Sequence, residues 1–289
     1  MLESNMYGYG SGRGDRWLAA CVWLAAVAVT AVFVWILGDL LRHGVGRLSF
    51  AFLIEAPESA GRAGGIGPIL VSTAWILAVS LAAALPLGLG TAVLLAELGA
   101  TESRFTSWVR RSLDVLAGVP SIVFGLFGNA LFCVALGLGF SILSGGLTLA
   151  CMILPILIRS TEEGFRAVPQ EIRLAAAALA MSRSRTLFQV LLPAAAPGLV
   201  VGVVLGFGRA IAETAALIFT SGYVDRMPSS VHDSGRALSI HIYDLAINIP
   251  GGEGTAYATA LVLVAILLCT NSATSFLGER WLRGRYHAV

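Results

Sequence analysis

The chain has 289 residues, of which 57% are hydrophobic and 12% charged, with a mean hydropathy of +0.82 and a formal net charge of +2. This composition excludes an ordinary soluble domain and marks a polytopic membrane protein, and the charge is too small to suggest a nucleic-acid partner. Every basic residue is arginine, so a P-loop, Schiff-base or kinase-type lysine is impossible and any ATP chemistry must come from another chain.

Residues 1–16, rich in Gly and Ser, are expected to form a flexible tail. Trp17 to Leu37 is an apolar run behind Arg13 and Arg16. It is longer than a signal-peptide core and no small-residue cleavage pattern follows, so it reads as a retained first span starting inside. Gly38 to Pro68 is a polar outer connection, completing a first unit over 17–68. Ile69 to Leu95 forms the second span, bent near Pro86. The arginines of the next loop (104, 110 and 111) put that loop inside.

A third span is expected from about Leu113 to Leu136, with Gly118, Gly125 and Gly128 allowing close helix approach. The fourth is Gly145 to Ile158, too short as it stands and expected to begin a few residues earlier. Arg159 to Leu191 makes the longest inside loop. The fifth span, Leu191 to Thr220, carries Arg209 and Glu213. A second outer segment, Ser221 to Thr255, contains Leu238, Ile242, Leu245 and Ile249 at helical spacing, as for a helix on the outer membrane surface. Tyr257 to Phe276 is the sixth span, leaving 286–289 as an inner tail.

The arginine distribution checks this topology. Thirteen arginines fall in the four inside segments and five in the outside ones, which puts both termini in the cytoplasm. The expected fold is therefore all-α, with six transmembrane helices. Cys21, Cys133, Cys151 and Cys269 lie in apolar runs without CxxC spacing, and no HExxH or GxSxG occurs, so metal binding, cofactors and bond chemistry have no support.

Two stretches point to function. In the inside loop, Val168, Ile172, Ala175, Ala176 and Leu179 fall on one helical face behind Pro169 and Glu171, predicting a short interfacial helix over 169–182. In the fifth span, Arg209 and Glu213 are four apart, so a continuous helix would put both on one face. A mid-membrane charge costs about 2.5–3.5 kcal/mol on insertion scales, so such residues line a pathway or pair off. An ion pair locking two helices satisfies the same spacing. Gly198, Gly202 and Gly206 give that span a bare face for a partner permease or another helix of this chain.

From Leu174 the chain reads LAAAALAMSRSRTLFQVLLP, which resembles the EAA loop of ABC-importer permeases, with Ala175, Ala176, Val190, Leu192 and Pro193 in register. Leu174 stands where the family has Glu, and Ala180 where it has Gly. The resemblance implies a coupling helix, including Arg173 to Ala180 (Ala177, Ala178 and Leu179 among them), that seats in an ATPase subunit. Together with AGVPSIVFGLFG and ALSIHIYDLAINIPGG, the block LPAAAPGLVVGVVLGFGRAIAETAALIFTSG resembles the PstA-type permeases of bacterial phosphate-specific ABC transporters, over roughly 69–285.

That resemblance implies a MetI-like permease domain and a phosphate pathway at Arg209 and Glu213, with Thr214 a weaker candidate. It also implies a second, PstC-like permease, a PstB-like ATPase pair holding ATP and Mg, and a PstS-like phosphate-binding protein, all at the bacterial inner membrane. A guanidinium fork suits a tetrahedral oxyanion, and a carboxylate can accept a hydrogen bond from the proton that phosphate carries near neutral pH and sulfate lacks. The readings left open are a permease for sulfate, molybdate or another small solute, an ion-coupled secondary transporter using Glu213, and a membrane scaffold.

Overall fold

The computed structural model describes residues 13–98 and 104–286, with side chains over 17–97 and 104–273. The expected tail over 1–12, Glu102, and the side chains of Arg280, Arg283 and Arg285 lie outside the described residues. Helix α1 spans Arg13–Gly44, so it takes in the last residues of the expected tail and the first of the expected connection. A short α2 (Phe50–Ile54), capped by the Ser49 hydroxyl, and a two-stranded antiparallel hairpin (β1, Pro57–Glu58; β2, Ala63–Gly64) lead into α3 (Gly67–Val93). Helix α3 continues through Pro86 and ends in a π-helical turn, Leu94–Leu98.

The expected third span is not one helix. Helix α4 (Arg104–Ala117) stops at Gly118, and α5 (Ser121–Gly128), prolonged by a π-helical stretch to Ala135, leaves it at 104°. Pro120 explains the break: it lacks the amide that a continuing helix needs and pushes Val119 out of helical geometry. Helix α6 (Ile142–Arg166) starts at a cap by Ser141 and runs eight residues past the expected end, because Arg159 and Arg166 are neutralised by Glu162 on the same helix. Next come α7 (Gln170–Ala178), α8 (Arg183–Thr186), a π-helical turn Leu187–Leu191, α9 (Leu192–Ile211), α10 (Ala215–Ile218), α11 (Leu238–Ile247) and α12 (Glu253–Tyr286). Among the described residues five helices are long and apolar enough to cross a membrane, and the bent α4–α5 pair brings the total to six.

The core is the α3–α6–α9 contact, built around Ile76, Leu149, Ile153, Leu157 and Ile211. Small residues bring the helices together, since lipid offers no hydrophobic drive for them to associate. A Cβ on Gly198 would lie 2.5 Å from the Cα of Gly164, and one on Gly202 would meet Ser160 and Leu157 at 3.1–3.3 Å. Gly206 faces Ile153. The bare face of the fifth span thus packs within the chain, on α6. Helix α1 lies apart: its most apolar stretch has no buried residue, and it touches the rest mainly along α12.

At the Ile142 end of the bundle, the loop after α10 folds back as a cap. Ser141, Ile142 and Leu143 donate backbone hydrogen bonds to Thr220, Asp233 and Val231, and Leu238 donates to the Thr73 hydroxyl at 2.9 Å. Helix α11 is buried against α12 and α3 through Leu238, Ile240, His241 and Leu245, rather than lying on a membrane surface as its spacing suggested.

Candidate functional site

Arg209 sits in the last turn of α9, and the helix ends two residues later at Ile211. Glu213 follows the break, so the two side chains do not share a helical face, and no ion pair joins them. The expected continuous span to Thr220 is interrupted because Glu213 and Thr214 start a separate helix: Glu213 Oε1 accepts from the Ala216 amide at 3.3 Å at the head of α10. Its carbonyl accepts from the Ser239 hydroxyl of α11. Glu213 and Thr214 are half-buried, whereas Arg209 is exposed and forms no hydrogen bond or ion pair among the described residues.

The depth of Arg209 follows from the α6–α9 crossing. Gly198 meets Gly164 and Gly206 meets Ile153, so Arg209 is level with residue 150 or so, about 12 Å inside the Ile142 end of α6 at 1.5 Å per residue. An unpaired guanidinium at that depth is costly unless something outside this chain satisfies it. Two cavities among the described residues, of about 560 and 550 Å³, are lined by other residues than Arg209 and Glu213. The arginine points out from the bundle, where a second subunit or an anion can meet it.

Helix α7 occupies the position expected for the interfacial helix, starting after Pro169. Its expected face divides: Val168 and Ala176 are buried, whereas Ala175 and Leu179 point out, Leu179 with 76% of its surface exposed. Leu174, Ala177, Ala178 and Ala180 are exposed as well, so the helix offers an apolar outer surface. Arg173 faces inward. Its Nη1 pairs with Glu97 on the π-helical end of α3, and its Nη2 donates to the Phe165 carbonyl at 2.7 Å.

Helix α7 closes with Ala180 at φ 50°. The Ala180 amide donates to Ala177 O at 2.9 Å and Met181 to Ala176 O at 3.2 Å, the paired bonds of a Schellman turn. That turn needs a left-handed residue at its centre, which accounts for a glycine there in EAA loops. Here alanine adopts the conformation instead.

Two charged clusters escaped the sequence reading. Glu162, 3% exposed, accepts from Arg110 Nε of α4 and Arg166 Nη2, both at 2.9 Å, and lies 3.6 Å from Arg159 Nη1. The i, i+4 spacing of Glu162 and Arg166 was a usable signal, but Arg110 is 52 residues away and only the fold brings it in. In the opposite cap, buried Arg236 donates to Tyr223 O at 2.9 Å and stands 3.4 Å from both His241 Nδ1 and Asp244 Oδ2. Burial, reinforced by the Arg236 charge and opposed by Asp244, pulls the His241 pKa down to about 4. In the same cap, Asp233 accepts from the Ser229 hydroxyl and the Ser229 and Ser230 amides, which lowers its pKa to about 2.

A model of the family described as the binding-protein-dependent transport system inner membrane component matches residues 84–283. The chain belongs to that family. It is a multi-pass inner-membrane permease of the PstA type, a transport subunit of importers that also contain an ATPase and a substrate-binding protein. A probable ABC transporter permease, YqgI of Bacillus subtilis (strain 168), is 32% identical over 91% of this chain and 95% of its own. The phosphate transport system permease PstA of Mycobacterium leprae (strain TN) is 36% identical over 92% of this chain and 86% of its own. Among solved structures, an inward-facing MetNI methionine ABC transporter aligns with TM-score 0.58 and 17% identity, over 74% of this chain and 96% of that one, which establishes the MetI-like fold.

Proposed function

We propose that this chain is the PstA-like half of a phosphate importer, working with a PstC-like permease, a PstB-like ATPase pair and a PstS-like binding protein. Relatives that are phosphate transport permeases support the substrate. The observation that carries the reading is Arg209, an exposed guanidinium without a partner among the described residues, within a membrane-spanning helix. ATP and Mg belong to the ATPase pair, and this chain needs no cofactor of its own. Both termini and α7 are cytoplasmic, which puts the Arg236 cap on the outer side.

In this reading Arg209 attracts and orients the anion in a passage completed by the second permease. Glu213, held by its cap on Ala216, keeps its other oxygen for the proton of hydrogen phosphate and repels the fully ionised sulfate. A site built around a substrate's polar hydrogen rejects an analogue lacking it by orders of magnitude. ATP-driven closure of the ATPase pair moves the helix spanning 169–182, and the passage changes the side it faces. The test is sulfate competition for phosphate uptake by the reconstituted complex. Glu213→Gln should admit sulfate as a competitor; unchanged discrimination with uptake intact removes the filter role.

A further inference from the structure

We propose that Arg173 and Arg110 form a two-point tie on the π-helical end of α3, and that this tie, more than the peptide chain, carries the movement of α7 into the transmembrane core. The proposal rests on reading α7 as the ATPase-docking helix and adds the route by which its displacement is delivered.

The covalent route from α7 to its own span is soft. It passes through the left-handed turn at Ala180, and the helix that then runs from Arg183 to Ile211 contains the π-helical turn Leu187–Leu191 and Pro197. Each is a place where a helix yields or lacks a hydrogen bond. A push on α7 spreads over these joints before it reaches α9.

The side-chain route is short. Arg173, halfway along α7, reaches two helices at once: Glu97 on the end of α3 and the Phe165 carbonyl at 2.7 Å, one residue before α6 ends. A cation there satisfies a terminal carbonyl and the negative pole of α6. Two residues from Glu97, the Leu95 carbonyl accepts from Arg110 Nη2 at 2.9 Å, while Arg110 Nε holds Glu162 of α6 at 2.9 Å. Both arginines thus join the same turn of α3 to α6. These two helices also pack along their length, with Gly88 against Leu157 and Gly146 against Val79, so a displacement delivered here moves them as one body.

A purely architectural role fits poorly. The Arg173 and Glu97 side chains are 24% and 18% exposed, and Glu97 Oε1 is buried with no partner among the described residues. Apolar packing would hold a helix end at least as cheaply as a half-satisfied ion pair. A charge pair, however, can fix register and be remade after a stroke.

The test uses the whole complex in proteoliposomes, reading phosphate accumulated per ATP hydrolysed. Arg173→Gln and Glu97→Gln should each lower that ratio by about tenfold, within the usual span of a coupling free energy. ATP hydrolysis and the amount of ATPase subunit retained on purification should stay near the parent's. Arg173→Lys, which keeps a cation able to reach Glu97 and the Phe165 carbonyl, should recover a large part of the ratio, whereas a role in packing alone would not separate it from Arg173→Gln. A normal ratio in both Gln variants overturns the proposal, as does loss of the ATPase subunit in Arg173→Gln or no recovery in Arg173→Lys. Leu179→Asp separates the underlying reading: it should strip the ATPase subunit from the complex, and full retention would refute docking at α7 itself.

Discussion

The two ends of the bundle are held by different chemistry. At the Ile142 end, the loop after α10 is stitched down by backbone hydrogen bonds, from Ser141, Ile142 and Leu143 to Thr220, Asp233 and Val231. At the Arg166 end, helices α3, α4, α6 and α7 meet through arginine side chains on Glu97 and Glu162. Short backbone bonds fix one geometry, whereas long guanidinium arms tolerate displacement and re-pair. One end is thereby held in a single geometry, while the other can shift and re-pair.

The comparison breaks most severely where both ends depend on the same crossing. Gly198→Leu would place a side chain where a Cβ alone is 2.5 Å from Gly164, so α6 and α9 must separate. Overpacking of this kind should cost about 3 kcal/mol, read as lost thermal stability in detergent and poor recovery of assembled complex. At the movable end, Glu162→Gln leaves Arg110 and Arg166 without their carboxylate, while Arg159 keeps Asp114 at 2.5 Å. Because those arginines are partly exposed, the expected loss is discounted to about 2 kcal/mol, and Glu162→Asp should retain most of the stability.

At the fixed end the lever is pH. A His241 pKa lowered from 6.5 to about 4 means that the unfolded chain binds the proton first. Stability is therefore full above pH 6.5 and declines as pH falls toward 4, by roughly 1 kcal/mol at pH 5.5. Hydrogen exchange of the α11 amides should speed up over that window, and His241→Phe should abolish the dependence. The smallest effect belongs to the turn closing α7. Ala180→Gly relieves a left-handed alanine at φ 50° and should add about 0.5–1 kcal/mol, seen as a small rise in melting temperature.

Apolar run length was enough to read most of the spans, because a bilayer leaves helices as the economical solution for an apolar chain. Breaks were harder. Pro120 ends α4 whereas Pro86 sits inside an unbroken α3, and the difference lies in the surroundings: Gly88 of α3 is pressed against Leu157, while Gly118 stands in an open turn. The motif at Ala180 was legible down to its departure from glycine, since local backbone geometry dictates that position. Arg209 and Glu213 were legible as residues but not as an arrangement, because helical spacing assumes a helix that stops at Ile211. The Glu162 cluster was illegible for a different reason: its partners are distant in sequence and meet only through α4 folding onto α6.

Anion passage is proposed to depend on the Arg209 guanidinium of α9, which has no partner among the described residues. Its most direct test is labelled-phosphate uptake by proteoliposomes holding the full complex with Arg209→Gln. The prediction is a fall of about a hundredfold, the scale lost when a charge-assisted contact is removed from a dry site, with assembly and stability unchanged. Uptake at the parent rate by an intact Arg209→Gln complex would contradict it.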